Sequence, residues 1–367
     1  MRPSLSPVFR VLAAGNYHSD NENGGIFRPF HPSCPQLGPV GGGFVPSPEV
    51  WRCDCFTFIQ SFCSPNCVEI ETLIALLGAS GFVGSAIRRE IHLAGLEVAP
   101  LSRRIVDYYN PAALAEVLRG IGADFVINAA GYTGRPNVDA CELRKTDCLL
   151  GNAVLPGRIN DACQRVGIPW GHVSSGCVYT GERPGGGGFR EYDPPNFSFR
   201  TNNCSFYSGS KALGEEVLAD AEECYQWRLR IPFSEHDGAR NYLSKVQRYP
   251  RLLDVRNSLS HLGDFAKACL ASWLKRVPYG VYNLTNPGSI TTREVCELIS
   301  QTVAPGKEFD FFADEAEFMA VAASTPRSNC VLDTTKATQA GIGMPPIEDA
   351  IERALRNWIP EAALAAV

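Results

Sequence analysis

A strand, a glycine-rich turn and a helix follow one another in residues 72–94, and this segment constrains the fold more than any other. Residues 72–77 (TLIALL) are a short apolar run of the kind that is buried on both faces of a parallel sheet. The next residues carry glycines with the spacing GxxGxxG, which permits a tight turn, close approach of a pyrophosphate and close packing of the helix. The positive end of the helix dipole favours phosphate at the same place. The predicted cofactor-binding residues of this turn are Gly78, Ser80, Gly81, Phe82, Val83 and Gly84.

Apolar runs and helical stretches continue to alternate along the chain, which is typical of an α/β, Rossmann-type doubly wound parallel sheet. Further strands are predicted at residues 97–101, 123–128, 169–174, 226–230 and 280–284. A helix is predicted to start at Pro111, and another is predicted to run from Tyr207 through Glu222. We assign about residues 69–178, 206–231 and 263–284 to the cofactor-binding core. A smaller, mainly C-terminal substrate region takes residues 179–205, 232–262 and 285–367.

The ends of the second and third strands bear on the choice of cofactor. Ser102, Arg103 and Arg104 stand where an NAD site usually carries an acidic residue for the ribose hydroxyls. Two guanidinium groups favour the additional phosphate of NADP, although a solvated basic turn is the alternative. We therefore predict NADPH as the cofactor, with NADH as a second possibility. At the end of the third strand, Asn128, Ala129 and Ala130 are also predicted to contact it.

A tyrosine and a lysine at helical spacing form the centre of the predicted catalytic site. Tyr207 and Lys211 are separated by four residues, which places them on one helix face. A lysine ammonium next to a tyrosine stabilises the phenolate and is expected to let it exchange a proton at working pH. Ser175, at the carboxyl end of a predicted strand, is expected to hydrogen-bond a substrate carbonyl.

These motifs together resemble those of a known enzyme superfamily. The order GASGFVG, SSGCVY and YSGSK is similar to that of the extended short-chain dehydrogenase/reductases. The strings VINAAGYTGRPNVDACE, DYYNPAALAEVL and TPRSNCVLDTTK resemble the dTDP-4-dehydrorhamnose reductase branch. Similarity is closer still to the bifunctional nucleotide-rhamnose synthase/epimerase-reductases, and it spans about residues 73–358. The resemblance implies NADPH-dependent reduction of a nucleotide-linked 4-keto-6-deoxyhexose, with prior 3,5-epimerisation, to an L-rhamnose-type nucleotide sugar.

The same resemblance gives roles to residues that spacing alone does not single out. A cysteine two places after the catalytic serine handles a carbon-bound proton in the group, and this position is Cys177. A lysine in an NFITK-like string is the second acid/base, which RNYLSK places at Lys245. A thiolate of lowered pKa is the expected base, whereas a buried thiol and a surface lysine are the alternative reading. The predicted substrate-binding residues are Thr133, Arg135, Arg240, Asn241, Arg327 and Asn329.

Three other functions stay open at this point. The chain could be a 4-reductase that relies on a separate epimerase, or an enzyme similar to GDP-fucose synthase. It could also be a regulator, because the regulatory subunit of methionine adenosyltransferase resembles the same branch. An intact Ser175, Tyr207 and Lys211 with both Cys177 and Lys245 argues against a regulator. The sequence does not choose among UDP, dTDP and GDP, and the superfamily commonly forms homodimers.

Composition excludes several classes of partner. The 34 Lys and Arg are scattered among 39 Asp and Glu, and a net charge of -5 without a basic stripe argues against nucleic-acid binding. No apolar run reaches the roughly 18 residues that a membrane span needs. Of the 14 cysteines, nine are scattered singly, which is typical of reduced thiols in the cytoplasm. No spacing suggests a metal site in the enzyme portion.

Residues 1–68 differ from the remainder of the chain. Their high Pro and Gly content and weak periodicity predict a disordered N-terminal extension. The pairs Cys53/Cys55 and Cys63/Cys67 raise the alternative of a zinc knuckle, which their irregular spacing disfavours. A further hypothesis is that the native protein starts at Val68, so that this segment is not made.

Overall fold

A computed structural model of the protein describes residues 72–135 and 137–364. The predictions for residues 1–68, namely a disordered extension, a four-cysteine zinc knuckle and a start at Val68, lie outside the described residues. No helix in the described part of the chain is long and apolar enough to cross a membrane.

Six parallel strands form the central sheet, in the order β2-β1-β3-β4-β5-β9, and two further pairs of short strands lie apart from it. The strands are β1 Leu73–Leu77, β2 Glu97–Leu101, β3 Phe125–Asn128, β4 Trp170–Ser175, β5 Cys224–Leu229, β6 Pro232–Phe233, β7 Arg256–Asn257, β8 Ser260–His261, β9 Gly280–Asn283 and β10 Ile290–Thr291. The strand order reverses between β1 and β3, and such a switch point opens a crevice at the carboxyl ends of a parallel sheet. The predicted doubly wound parallel sheet is confirmed.

The helices connect these strands and cover both faces of the sheet. They are α1 Phe82–Leu93, α2 Pro111–Ile121, α3 Ala140–Leu143, α4 Lys145–Leu149, α5 Leu155–Val166, α6 Phe206–Val217, α7 Tyr242–Arg248, α8 Leu262–Leu274, α9 Thr292–Gln301, α10 Glu315–Val321, α11 Thr335–Gln339, α12 Ile347–Arg356 and α13 Glu361–Leu364. The predicted start at Pro111 is confirmed, because Asn110 caps the helix by accepting from the amides of Ala112 and Ala113. The predicted extent of α6 is wrong, since the helix ends at Val217 rather than Glu222.

Alternate residues of β1 supply the hydrophobic cores on the two faces of the sheet. Ile74 and Leu76 pack in a cluster with side chains of α1 and α8. Ala75 and Leu77 pack on the opposite face with side chains of α2 and α5. A strand buried on both faces reads as a continuous apolar run, which is why TLIALL is recognisable in the sequence.

A third buried cluster lies away from the sheet, in the segments assigned to the substrate region. Its members include Phe233, Leu243, Val295, Ile299 and Ile351, from β6, α7, α9 and α12. This separate core supports helices next to the carboxyl ends of β4 and β5. The boundaries given above for the two regions stay a prediction.

Candidate active site

A cleft of about 2010 Å³ runs past the carboxyl ends of β1 to β5. Pockets for a single drug-sized ligand occupy roughly 300–1,000 Å³, so this cleft has room for two large ligands. The predicted site residues that line it are Gly78, Ser80, Gly81, Phe82, Val83, Ser102, Arg103, Arg104, Ala129, Ala130, Thr133, Arg135, Ser175, Cys177, Tyr207, Lys211, Arg240, Lys245, Arg327 and Asn329. Three other predicted residues, Gly84, Asn128 and Asn241, are not part of its wall.

The glycine turn after β1 brings backbone rather than side chains to the cleft. Gly78 has a left-handed φ of 78°, and a Cβ there would lie 2.6 Å from the amide nitrogen of Ala130. A Cβ on Gly84 would lie 2.1 Å from the carbonyl oxygen of Gly78, so this glycine allows α1 to pack on the turn. Gly81 caps α1 without a side-chain bond to the first-turn amides, which leaves these amides available to an anion.

Basic side chains lie at the end of the cleft beyond β2. Arg103 and Arg104 are exposed there, beside Ser102. Arg88 of α1 lines the same part of the cleft, and sequence analysis missed it. Its position one helical turn beyond the glycine motif is the only sequence signal that could have identified it. Three guanidinium groups at one end of the cleft suit the binding of a phosphate group.

Asn128 supports the cleft without lining it, which corrects its prediction as a cofactor-contacting residue. Its side chain is fully buried and hydrogen-bonds Nδ1 of His172 at 3.0 Å. Its Oδ1 accepts from the amide of Ala130 at 3.0 Å. The amide side chain therefore fixes the loop that follows β3.

Ser175, Tyr207 and Lys211 meet on the floor of the cleft. Ser175 ends β4, and its Oγ accepts from the amide of Cys177 at 3.3 Å. Tyr207 and Lys211 lie in the first turns of α6, whose N-terminus is capped by Ser205. The Lys211 ammonium donates to the carbonyl oxygen of Val173 at 3.3 Å. Strand β4 and helix α6 thus bring the three predicted side chains together.

Burial affects the pKa values of both Tyr207 and Lys211. Burial raises the pKa of its phenol above the usual 10, and a hydrogen bond with Ser175 only partly opposes this effect. Burial likewise lowers the pKa of the Lys211 ammonium. A phenol whose pKa is raised above 10 keeps its proton at neutral pH, which suits a proton donor.

Cys177, in the turn after β4, and Lys245, in α7, face the same cleft. Burial raises the pKa of the Cys177 thiol, although hydrogen bonding to Ser175 and the charge of Arg230 act in the other direction. Burial thus opposes the expected thiolate of lowered pKa, which stays a prediction. Burial, helped by the neighbouring charge of Arg240, lowers the pKa of Lys245. Of the two groups, Lys245 is the better candidate to accept a proton and Cys177 to donate one.

Side chains from distant parts of the chain form the other side of the cleft. The Arg240 guanidinium donates to Oγ1 of Thr133 at 2.6 Å. Arg327 makes two hydrogen bonds to Asp139, at 2.6 and 2.7 Å, and these residues are 188 positions apart. Arg135 also lines this side of the cleft. The polar contacts hold the loop after β3 against the segments that precede α7 and follow α10.

Asn241 does not bind in the cleft, contrary to the prediction. It is fully buried and is the N-cap of α7, where its Oδ1 accepts from the amide of Leu243 at 3.1 Å. Its Nδ2 donates to the carbonyl oxygens of Ser234 and His236. With both ends of the amide used, the side chain positions α7, and with it Lys245.

Asn152 is a supporting residue that sequence analysis missed. It lies in a π-helical turn, Leu150–Val154, and hydrogen-bonds both the amide and the carbonyl of Tyr132, at 2.9 and 2.8 Å. Its Nδ2 also donates to Oγ of Ser210 at 3.0 Å. The side chain thus ties the loop after β3 to the helix that carries Tyr207 and Lys211.

Other missed residues lie on the substrate side. Arg230 and Asn257 are buried beside Asn329, and Asn257 Nδ2 donates to Asn329 Oδ1 at 3.3 Å. An aromatic and basic wall is formed by Tyr242, Tyr249, Arg251, Phe312 and Phe318. No short motif marks these residues, because they are brought together from separate segments of the chain.

Comparison with known proteins gives one family and several relatives. Residues 72–359 match the model for the RmlD substrate binding domain. The chain is 32% identical, over 71% of its length and 85% of the relative's, to a bifunctional dTDP-4-dehydrorhamnose 3,5-epimerase/dTDP-4-dehydrorhamnose reductase of Arabidopsis thaliana. A trifunctional UDP-glucose 4,6-dehydratase/UDP-4-keto-6-deoxy-D-glucose 3,5-epimerase/UDP-4-keto-L-rhamnose-reductase of the same plant is 30% identical over 79% of the chain. The chain spans only 42% of that longer relative.

Solved structures have the same fold. A UDP-rhamnose synthase from Acanthamoeba polyphaga mimivirus superimposes with a TM-score of 0.72 at 22% identity, covering 78% of this chain and 99% of that one. A dTDP-4-dehydrorhamnose reductase from Bacillus anthracis, solved with NADP, gives 0.64 at 20% identity, covering 77% and 97%.

Proposed function

Since the chain belongs to the RmlD substrate binding domain family, we propose that it reduces a nucleotide-linked 4-keto-6-deoxyhexose with NADPH after inverting carbons 3 and 5 of the sugar. The product is an L-rhamnose-type nucleotide sugar. One observation carries the proposal. Ser175, Tyr207 and Lys211 share a cleft with a second proton-transfer pair, Cys177 and Lys245. A simple reductase has no need of that second pair.

The residues on the cofactor side fit a dinucleotide phosphate. Any side chain at Gly78 or Gly84 would collide with backbone atoms, so the turn stays open to a pyrophosphate. The amides of α1 would hold that pyrophosphate, and Arg88, Arg103 and Arg104 would hold an additional phosphate. NADPH, when bound, supplies the hydride for carbon 4.

The chain's own groups complete the reduction. Ser175 hydrogen-bonds the carbonyl oxygen on carbon 4 and fixes its position. Tyr207, which burial keeps protonated, gives its proton to this oxygen as negative charge develops there. Lys211, held by the carbonyl of Val173, is the nearby positive group that stabilises the resulting phenolate.

Epimerisation uses the other pair. Hydrogens on carbons 3 and 5 are acidic because each is next to the carbon 4 carbonyl. The Lys245 amine, whose pKa burial lowers, removes such a proton, and the Cys177 thiol gives one to the opposite face. Both groups recover their protonation state from solvent before the second centre reacts. The thiol therefore acts as an acid in this scheme.

Among the alternatives, the relatives favour a bifunctional enzyme, since the names of both plant proteins join epimerase and reductase activities. A 4-reductase alone remains the second candidate, and burial of Cys177 is the observation in its favour. The complete set of five groups disfavours a regulator. A GDP sugar is the substrate to test after UDP and dTDP sugars.

We also propose a homodimer that works in the cytoplasm. Leu150, Val154 and Val217 are exposed apolar residues on neighbouring helical segments, and Val217 lies against Gly157 of α5. The nine described cysteines are all unpaired, which fits a reducing compartment. Light scattering should give twice the chain mass, and V217E should lower it to the mass of one chain. Cell fractionation tests the location.

The decisive experiment measures NADPH oxidation with UDP- or dTDP-4-keto-6-deoxyglucose in deuterated water, without an added epimerase. We expect oxidation and deuterium at carbons 3 and 5 of the product. In C177S, the rate of deuterium incorporation should fall at least tenfold more than the rate of reduction of the already epimerised sugar. Oxidation that requires an added epimerase would leave a 4-reductase. No oxidation with UDP, dTDP or GDP sugars would refute the enzyme function.

A further inference from the structure

Arg230 is a buried cation that pairs with no carboxylate among the described residues. It follows β5 and is 7% exposed. Arg228, two residues earlier on the same strand, pairs with Glu215 at 2.7 Å. Arg230 instead bonds only neutral oxygens among the described residues, those of Asn257 and of the Ser328 backbone. Burying a charge without a counter-charge is costly, so such an arrangement suggests that negative charge arrives during function.

The guanidinium is held in one orientation. Its Nη2 donates to Oδ1 of Asn257 at 2.6 Å and to the carbonyl oxygen of Ser328. Asn257 is itself fixed, because its Oδ1 accepts from the amide of Cys330 at 3.0 Å. The Nε of Arg230 is fully buried and has no hydrogen-bond partner among the described residues. A donor is thus left unused inside a rigid network.

Arg230 lies beside the turn that carries Cys177. In the sheet Leu229 pairs with Ser175, which sets Arg230 beside the turn that begins at Gly176. A Cβ on Gly176 would lie 3.5 Å from Cδ of Arg230, so the segments that follow β4 and β5 lie side by side here. The charge of Arg230 also favours ionisation of the Cys177 thiol, against the effect of burial on its pKa.

Backbone strain marks the same point. Ile231 has a left-handed φ of 35°, although it is β-branched and precedes Pro232. Strain of this kind persists where the surrounding structure demands a particular backbone path. Here the path carries Arg230 to the end of β4 and returns the chain toward β6.

We propose that Arg230 is the fixed counter-charge for the Cys177 thiolate that forms when the thiol gives its proton to a sugar carbon. This inference rests on the epimerase function proposed above. The sulfur–hydrogen bond breaks, a carbon–hydrogen bond forms, and the sulfur electron pair stays beside the guanidinium. Lys245 holds the proton removed from the opposite face. Arg230 acts through Cys177 and is therefore a positioning residue.

The first test needs no substrate. The rate of alkylation of Cys177 by iodoacetamide, followed by peptide mass spectrometry from pH 6 to 10.5, gives the midpoint of thiol ionisation. R230Q should raise this midpoint by at least about 1 pH unit, because an opposite charge within a few ångströms is worth that much. R230K, which keeps the charge, should shift it less than R230Q. An unchanged midpoint in R230Q would overturn the proposal.

A second neutralising variant guards against misfolding of R230Q. N257D places a carboxylate of nearly the same shape against Nη2, so it should raise the midpoint in the same direction. R256M is the matched control, because it removes an exposed arginine adjacent to Asn257 whose contacts are Ser289 and Glu294. It should leave the midpoint unchanged. Equal shifts in R256M and R230Q would show a general charge effect and overturn the assignment.

The second test separates this inference from the proposed function. With substrate in deuterated water, R230Q should slow deuterium incorporation about 100-fold. The rate at which R230Q reduces the already epimerised sugar should fall by a factor at least tenfold smaller. R230K should recover part of the exchange rate. Equal losses of rate in both reactions would mean that Arg230 only maintains the structure of the cleft, and would overturn the proposal. Wild-type protein that reduces but does not exchange refutes the epimerase function, whereas the alkylation midpoint still reports on Arg230.

Discussion

The two sides of the cleft are built in different ways. The cofactor side consists of backbone turns and short stretches, residues 78–83 and 102–104, that follow two adjacent strands. The substrate side joins residues 133–135, 137–139, 240–255 and 326–329 through side-chain contacts such as that between Arg327 and Asp139. Local glycine geometry determines the first side, while the second exists only once distant segments have packed together. The first therefore leaves a short motif in the sequence and the second does not.

This difference predicts that substitutions on each side affect one ligand, whereas those at the floor affect the reaction itself. Tyr207 belongs to neither side. Y207F should lower kcat for reduction by roughly 10²–10⁴-fold, because it removes the proton donor to the carbon 4 oxygen. Titration of NADPH fluorescence should show cofactor affinity within about twofold of wild type. Y192F, at an exposed tyrosine, is the control. Activity close to that of wild type would assign the proton to another donor.

The cofactor side is tested by its arginines. The double variant R103Q/R104Q should weaken NADPH binding about 10–100-fold and NADH binding much less, since charged hydrogen bonds to the additional phosphate are lost. Kd values for both cofactors give the comparison, with R119Q on α2, whose side chain bonds the Arg165 carbonyl, as control. An equal loss of affinity for the two cofactors would mean that these arginines do not bind the additional phosphate.

Away from the cleft, an ion cluster joins α1 to the segment after β6, and it predicts how stability changes with pH. Glu235 contacts Arg89 of α1 and His261, and its hydrogen bond with His261 lowers its pKa to about 2. A depressed carboxyl pKa stabilises the fold above pH 4.5 and loses that contribution as pH falls toward 2. The loss should be about 2 kcal/mol for this partly exposed group.

Urea denaturation between pH 5 and 3 measures this effect. The free energy of unfolding should fall more steeply with acid in the wild type than in E235Q, while E348Q, at an exposed glutamate of α12, should follow the wild type. Burial lowers the pKa of His261, but Asp264 and Glu235 outweigh it and raise the pKa above 6.5, so the contribution of His261 is complete below pH 6.5 and is lost as the pH rises through its folded pKa. Parallel curves for E235Q and wild type would remove Glu235 from this account.

The substrate side should give the smallest change. R327Q should raise KM for the nucleotide sugar on the order of tenfold and leave NADPH affinity unchanged, because it removes one charged contact and frees the Asp139 loop. Steady-state kinetics with each substrate varied in turn separates the two. R293Q, at an exposed arginine that bonds Asp254, is the control. A larger effect on NADPH than on the sugar would contradict the division between the two sides.

Much of the fold and the catalytic floor could be predicted from sequence because both follow from local patterns. A strand buried on two faces is a run of apolar residues. Asn110 followed by Pro111 is a recognisable helix start, because asparagine is a common N-cap and proline is favoured at the first helical position. Tyr207 and Lys211 are four residues apart on one helix, so their proximity needs no tertiary information. The end of α6 was missed because residues 218–222 offer no proline or glycine that stops a helix.

The supporting residues could not be predicted in this way. Asn128 and Asn241 look like ligand-binding amides in sequence, but both are fully buried and hydrogen-bonded to protein atoms at both ends of the amide. Arg230 lies in a strand-like string and shows its significance only through what it lacks, a carboxylate partner. The protonation of Tyr207 and Cys177 also depends on burial, which no spacing reveals.

The sequence by itself determined the doubly wound sheet, the glycine turn, the basic turn after β2 and the placement of Tyr207 and Lys211 on one face of a helix. Each of these depends on residues that are close along the chain or on a periodicity set by the backbone. Only the tertiary structure decided which side chains line the cleft, which ones hold others in place, and which proton each reactive group keeps. Those properties depend on desolvation and on contacts between segments as much as 188 residues apart, and the folded chain alone creates them.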